Sequence, residues 1–199
     1  RLARKHNALL IADEIQSGMG RTGRWFAYQN YGIQPDLVTV AKPIAGGLPL
    51  GALLATEKVA GCIHPGMHGT TFGGGPLACA VALQLITTLE KEKMLKHVKK
   101  VGDYFMEHLQ KLQKKHSVIV EVRGQGLMIG MELESVEAAK QVFQQMLKLG
   151  TIVNRTDETV IRFLPPFIIK KQHIDTALQQ LDQVLAQNTK TAATAERNK

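Results

Sequence analysis

Two short apolar segments, each followed at once by polar residues that can do chemistry, constrain the fold of this chain most strongly. Residues 8–12 lead into Asp13 and Glu14, and residues 36–40 lead through Ala41 into Lys42. Short apolar runs of this kind are typical of buried strands in a parallel sheet, and ligands bind at the carboxyl ends of such strands. Asp13 and Lys42 are 29 positions apart (42 − 13 = 29), about one strand-to-strand crossover. We therefore predict an α/β fold with these two side chains at one sheet edge.

A long amphipathic segment separates this part of the chain from a part with a different pattern. Its apolar residues recur every three or four positions, as on a helix with one buried face; they are Leu95, Val98, Val101, Phe105, Leu109 and Leu112. Another helix, opened by Pro76, precedes it. Alternating apolar residues, a helix capped by Ser135 and a last helix over residues 173–187 then predict a β–β–α–β–β–α unit.

This change of pattern predicts two domains joined by a helix. The first has short strands of the parallel type, and the second is a compact α+β domain with strands near residues 118–122, 127–133, 151–154 and 160–163. The predicted boundaries are 1–90 for the first domain, 91–117 for the connecting helix, 118–187 for the second domain and 188–199 for a disordered polar tail.

Composition excludes several classes of protein. The net charge of +8 is concentrated in residues 91–116 and the tail, and aromatic residues make up 5% of the chain, so nucleic-acid binding is not expected. No apolar run approaches the roughly 18 residues of a membrane span. Two cysteines without partners at zinc spacing favour a reducing, cytoplasmic setting and no metal site. The chain begins with Arg1 rather than Met, so we expect a fragment of a longer protein.

Lys42, Asp13 and the stretch HGTTFGGG at residues 68–75 together suit pyridoxal 5′-phosphate. A desolvated lysine amine can bind an aldehyde covalently, a carboxylate can keep a pyridine nitrogen protonated, and hydroxyl and backbone N–H groups can bind a phosphate. Each feature also has an ordinary explanation, since a lysine after a strand is usually a surface residue. Asp13 and Glu14 equally suit the acidic residues of a P-loop ATPase. The residues alone leave pyridoxal phosphate and ATP both open.

Four consecutive segments distinguish between these possibilities. They are LLIADEIQSGMGRTGRWFAYQNYGIQPDLVTVAK, GGLPLGALLA, HGTTFGGGPLACAVAL and VRGQGLMIGMEL. In order and spacing they closely resemble the C-terminal half of the class III, fold-type I aminotransferases, over about residues 1–185. The resemblance implies a pyridoxal phosphate-dependent enzyme with a large, mostly parallel α/β domain followed by a small α+β domain. It also implies a missing N-terminal half, so we expect little or no activity from this chain alone.

The resemblance implies cofactor roles for four residues. Asp13 matches the aspartate that binds the pyridine nitrogen, Gln16 the residue beside the phenolic oxygen, and Lys42 the lysine that binds the cofactor covalently. Thr71 matches the threonine that reaches the phosphate bound in the partner subunit, which implies a homodimer. Pro43 follows the lysine where many relatives have another residue, and it is expected to hold Lys42 in an extended conformation.

Two further residues match substrate-binding positions. Thr70 matches a residue near the substrate, and Arg162 matches the arginine that holds a substrate carboxylate. A guanidinium suits that role better than an ammonium because it binds a carboxylate with two parallel hydrogen bonds. Without the resemblance, Arg162 would be interpreted as an exposed arginine on a strand.

The implied reaction transfers the terminal amine of an ornithine-type donor to 2-oxoglutarate and forms a semialdehyde and glutamate. Within the family, the first and third segments are most like members that act on N-acetylornithine in arginine biosynthesis. Members that act on ornithine, succinylornithine, 4-aminobutyrate or aminoadipate semialdehyde remain alternatives. A P-loop ATPase fragment and a non-catalytic scaffold are the alternatives outside this activity.

Overall fold

The computed structural model describes the backbone of residues 1–197 and the side chains of residues 1–187. The chain separates into two compact units, one of residues 1–96 and one that begins at His97. The boundary falls inside helix Met94–Lys115, which lies within the predicted connecting segment 91–117. The domain limits at residues 90 and 118 stay predictions.

The first unit is built on a three-stranded sheet. Its strand order is β1-β2-β3, with β1 parallel to β2 and β2 antiparallel to β3. The predicted α/β arrangement of two neighbouring parallel strands is therefore confirmed. The elements are α1 (Leu2–Lys5), β1 (Ile11–Asp13), a 3-10 helix (Ala27–Tyr31), β2 (Leu37–Val40), a second 3-10 helix (Lys42–Ala45), β3 (Ala52–Ala55), α2 (Glu57–Ala60) and α3 (Pro76–Lys91).

The core of the first unit forms against one face of β2. Val38 and Val40 are buried with Met19, whereas Leu37 and Thr39 are half-buried, as the two-residue period of a strand requires. Partly buried apolar side chains complete this core, namely Ala12, Trp25, Phe26, Tyr28, Ile44 and Ile86. Thr39 and its register partner Asp13 consequently share the opposite face of the sheet.

The second unit is a four-stranded antiparallel sheet with helices. Its strand order is β4-β5-β7-β6, so β6 is an edge strand. The predicted strand at 151–154 is displaced, because the observed strand begins at Asn154. The elements are α4 (Met94–Lys115, which begins in the first unit), β4 (Ile119–Gln125), β5 (Met128–Leu133), α5 (Val136–Lys148), β6 (Asn154–Thr156), β7 (Val160–Phe163) and α6 (Lys171–Arg197).

Burial in the second unit follows the predicted periodicities. On β5, Ile129, Met131 and Leu133 are buried, while the residues between them are half-buried. The apolar face of α4 buries four of the six predicted residues, which are Val98, Val101, Phe105 and Leu109. Ser135 caps α5 as predicted, because its Oγ accepts a hydrogen bond from the Ala138 N–H at 3.2 Å.

Helix α4 passes very close to the turn between β4 and β5. A Cβ atom at Gly102 would overlap the carbonyl group of Gly126, so this approach requires glycine in the helix. Gly126 itself has φ +56°, in the left-handed region that favours glycine at a tight turn.

Helix α6 extends beyond the predicted final helix of residues 173–187. Its backbone is helical to Arg197, which includes much of the segment 188–199 that we predicted to be disordered. Residues 198 and 199 of that predicted tail lie outside the described residues. Within the part of the chain that the structure describes, every helix is too short or too polar to span a bilayer.

Candidate active site

Asp13 and Lys42 follow neighbouring parallel strands to the same edge of the sheet. Asp13 is the last residue of β1 and pairs in register with Thr39 of β2. Lys42 comes two residues after Val40, where β2 ends. Because the carboxyl ends of parallel strands lie at one edge, the pairing gives both residues the location predicted for a ligand-binding crevice.

The Asp13 carboxylate is held through one of its two oxygens. Oδ1 accepts hydrogen bonds from the Ile15 N–H at 3.1 Å and from the Thr39 hydroxyl at 3.3 Å. Among the described residues, no group donates to Oδ2, and the side chain is exposed. An oriented carboxylate with one available oxygen can accept a hydrogen bond from a protonated heterocyclic nitrogen.

Lys42 leaves β2 in an unusual backbone conformation. Its φ is +30°, and it begins the 3-10 helix Lys42–Ala45 with Pro43 in the first turn. The prediction that Pro43 would hold Lys42 in an extended conformation is therefore wrong. Proline does disfavour the right-handed helical region for the preceding residue, but here the sharp turn out of β2 into a helix places Lys42 at positive φ instead. Non-glycine residues at positive φ cluster at functional sites, where the surrounding structure maintains the strain.

The Lys42 side chain is exposed, and within residues 1–187 its amine makes no hydrogen bond or ion pair. The 3-10 helix that it begins packs against α3. Ala45 of that helix is fully buried, which anchors the segment while the lysine side chain remains outside. The amine is thus accessible while its backbone is fixed.

Glu14, next to Asp13, has a structural role that the sequence did not predict. The residue is 2% exposed, and Oε2 accepts hydrogen bonds from the Ser17 hydroxyl at 2.7 Å and the Ala27 N–H at 3.0 Å. Oε1 accepts a hydrogen bond from the Tyr28 N–H at 2.8 Å. Because side chains alternate along a strand, Asp13 faces outward while Glu14 faces inward and fixes the segment between β1 and the first 3-10 helix. The two carboxylates therefore do not act as a pair.

Gln16 and the two threonines occupy different loops of the first unit. Gln16 is half-buried and lies three residues after Asp13. Thr70 and Thr71 are exposed in the segment between α2 and α3, where Thr70 Oγ1 accepts a hydrogen bond from the Gly73 N–H at 3.2 Å. Within the described residues, neither threonine hydrogen bonds to Asp13 or Lys42. Their cofactor and substrate roles stay predictions.

Arg162 lies on β7 in the second unit, between Gly130 of β5 and Asn154 of β6. It is half-buried rather than fully exposed, and its Nη2 donates a hydrogen bond to Asn154 Oδ1 at 2.8 Å. Both residues line a cavity of about 510 Å³, together with Thr151, Pro165 and His173. A guanidinium in a cavity of this kind can bind a carboxylate. Asn154 is the member of this site that the sequence did not identify.

The comparison with known families identifies the family of this chain. A family model described as "Aminotransferase class-III" matches residues 1–185. The chain belongs to this family. The resemblance and the fold that it implied are therefore confirmed, and membership in the class III aminotransferases excludes the interpretation as a P-loop ATPase.

The relatives of this class III aminotransferase chain are about twice as long as the chain itself. Acetylornithine aminotransferase of Methanocaldococcus jannaschii is 47% identical over 181 residues, which cover 91% of this chain and 45% of the relative. Succinylornithine transaminase of Citrobacter koseri is 45% identical over 181 residues, which cover 90% of this chain and 45% of the relative. The crystal structure of ornithine aminotransferase from Toxoplasma gondii ME49 has a TM-score of 0.88 at 33% identity, and the match covers 96% of this chain and 46% of that one.

Family membership implies pyridoxal phosphate, and the residues at the sheet edge fit this cofactor. Its aldehyde needs a lysine amine that it can reach, and its ring nitrogen needs a carboxylate with an available oxygen. Lys42 and Asp13 offer these groups on adjacent strand ends. No group of three or more His, Cys, Asp or Glu side chains suited to a metal ion occurs among the described residues.

Proposed function

We propose that the full-length protein transfers the terminal amine of an ornithine-type donor, with N-acetylornithine favoured, to 2-oxoglutarate. The products are a semialdehyde and glutamate, and the reaction is a step of arginine biosynthesis. The observation that carries the proposal is the parallel pairing of β1 with β2, which puts Asp13 and Lys42 at one sheet edge. The names of the relatives, acetylornithine aminotransferase and succinylornithine transaminase, support the substrate class.

In the proposed mechanism, bound pyridoxal phosphate supplies an electron sink that makes a proton on the substrate carbon acidic. Lys42 Nζ would hold the cofactor aldehyde covalently until the substrate amine displaces it. The freed amine would then serve as general base and general acid, moving the proton from the carbon that bears the amine to the cofactor and, in the second half-reaction, from the cofactor to the carbonyl carbon of 2-oxoglutarate. Asp13 Oδ2 accepts a hydrogen bond from the ring nitrogen and keeps it protonated. Gln16 lies beside the phenolic oxygen.

Further residues bind the phosphate and the substrates. Arg162 holds the carboxylate next to the carbonyl of 2-oxoglutarate, and Thr70 lies near the substrate. Thr71 binds the cofactor phosphate in the partner subunit, so the active protein is a homodimer. Since the amino group would stay on the cofactor while the semialdehyde leaves and 2-oxoglutarate then binds, ping-pong kinetics are expected. The two free cysteines, Cys62 and Cys79, support a reducing, cytoplasmic setting.

The test is a panel of amine donors assayed with the full-length protein. N-acetylornithine, succinylornithine, ornithine and 4-aminobutyrate are each supplied with 2-oxoglutarate, and glutamate formation is measured. We expect N-acetylornithine to have a kcat/KM at least about tenfold above the other donors, a difference of ~1.4 kcal/mol in the transition state. A higher kcat/KM for another donor would assign the protein a different class III aminotransferase reaction. Cofactor binding without glutamate from any donor would indicate a non-catalytic scaffold.

A further inference from the structure

The two strands that flank Arg162 give it different register partners. Its register partner on β5 is Gly130, and its partner on β6 is Asn154. Register partners in a sheet present their side chains on the same face. Because Gly130 has no side chain, Asn154 is the cross-strand neighbour that can hold the guanidinium.

The contact between the two residues is specific. Arg162 Nη2 donates to Asn154 Oδ1 at 2.8 Å, and both side chains line the cavity of about 510 Å³. An asparagine amide is uncharged, so it accepts a hydrogen bond from the guanidinium without forming an ion pair. A guanidinium has five N–H donors, so such a group can hold an amide oxygen and also bind a carboxylate at two points.

The position of Asn154 is fixed from two sides. Its backbone is paired with β7, and the segment just before it is attached to α6. In that attachment the Thr151 hydroxyl donates to Gln180 Oε1 at 2.5 Å, while Gln180 Nε2 donates to the Leu149 carbonyl at 2.9 Å. The backbone that carries the Asn154 side chain is therefore held by β7 on one side and, through the preceding segment, by α6 on the other.

We propose that Asn154 is a positioning residue that orients the Arg162 guanidinium for the carboxylate of 2-oxoglutarate without itself contributing a neutralising charge. This inference rests on the proposed function. An aspartate at the same place would have nearly the same size but a negative charge. It would form an ion pair with Arg162 and compete with the substrate.

The experiment compares Asn154→Asp and Asn154→Ala with the wild type in the full-length enzyme. The control is Gln179→Glu, which adds the same charge at an exposed position of α6. KM and kcat are measured for 2-oxoglutarate and for 4-oxobutanoate, which keeps the distal carboxylate but lacks the carboxylate beside the carbonyl. We expect Asn154→Asp to raise the KM for 2-oxoglutarate about tenfold or more, and Asn154→Ala to raise it about threefold.

The variant that raises the KM for 2-oxoglutarate more, Asn154→Asp or Asn154→Ala, shows whether Asn154 positions the guanidinium or only fills space. A purely structural role would make the smaller alanine the more damaging replacement, whereas competition for the guanidinium makes aspartate the more damaging one. We expect the KM for 4-oxobutanoate, and all constants of Gln179→Glu, to stay within about twofold of wild type.

Three results would overturn the inference. An unchanged KM for 2-oxoglutarate in Asn154→Asp, with wild-type turnover intact, would remove the inference and leave the proposed function in place. An equal loss with both acceptors would indicate general damage rather than lost orientation of Arg162. A wild-type enzyme that forms no glutamate from any donor would end the proposed function and this inference together.

Discussion

The Thr39 hydroxyl donates a hydrogen bond to Asp13 Oδ1 at 3.3 Å, between the ends of two parallel strands. Three residues beyond Thr39 the same chain segment reaches Lys42. The strand that leads to the lysine therefore also orients the carboxylate, so the positions of the two reactive groups are coupled through β2. Displacing either strand would change both.

Replacing Lys42 tests the assignment of the reactive amine. In the full-length protein, Lys42→Ala should abolish the absorbance band of protein-bound pyridoxal phosphate and lower turnover by about 10³-fold or more, because it removes both the attachment point and the general base. The matched control is Lys100→Ala, which removes an exposed lysine from α4. A normal band and full turnover in Lys42→Ala would show that this lysine is not the reactive one.

Asp13 and Thr39 should contribute to the site in a definite order. Asp13→Asn removes the charge that keeps the ring nitrogen protonated, and turnover should fall about 100-fold or more. Thr39→Val removes one hydrogen bond to a charged group, worth ~1.5 kcal/mol, so cofactor affinity should fall about tenfold. Cofactor dissociation constants from spectroscopic titration, with kcat for each variant, test this order. A kcat that is lower in Thr39→Val than in Asp13→Asn would contradict this order.

Glu14 should matter for stability because of its three hydrogen bonds. In Glu14→Gln, one carboxylate oxygen becomes an NH₂ group that faces the N–H of Ala27 or Tyr28, and the mismatch should cost ~1–3 kcal/mol. Thermal unfolding of the full-length protein should show a lower Tm, by about 1 °C for each kcal/mol in a protein twice as long as this chain. Glu57→Gln makes the same change at an exposed site and should leave the Tm nearly unchanged. Equal Tm values for the two variants would mean that the Glu14 contacts are energetically unimportant.

Asp182 should contribute stability that depends on pH. The pKa of Asp182 lies below its usual 3.8, chiefly because the carboxylate accepts a hydrogen bond from Lys115. A hydrogen bond with His116 is the second cause. A carboxyl whose pKa is lower in the folded state than in the unfolded state stabilises the fold fully at pH values above its unfolded-state pKa. This contribution is lost as the pH falls through the folded-state pKa. The Tm deficit of Asp182→Asn should therefore be constant near neutral pH and shrink below about pH 4.

The control for this experiment is Asp103→Asn. Asp103 pairs with Lys99 at 2.7 Å within α4, but both side chains are more than 60% exposed, so the pair should contribute little. Melting curves by circular dichroism from pH 2.5 to 7.5 compare the two variants. A deficit in Asp182→Asn that grows on acidification would refute the sign of the effect.

Much of the candidate site could be predicted from local sequence. The apolar segments before Asp13 and Lys42 predicted strands, and the parallel pairing of β1 with β2 confirms that the two ends are neighbours. The backbone conformation of Lys42 could not be predicted in the same way. The general effect of proline favours an extended residue before it, whereas the turn from β2 into a 3-10 helix imposes φ +30°.

By itself, the sequence determined the family, the class of fold, the cap at Ser135 and the buried face of α4. These features depend on residue types within a few positions of one another, which local periodicity and capping rules describe. Tertiary structure decided that Glu14 binds backbone groups 13 and 14 residues away and that Asn154 holds Arg162 from a neighbouring strand. These contacts join residues that are separated along the chain, and their geometry exists only after the strands have paired.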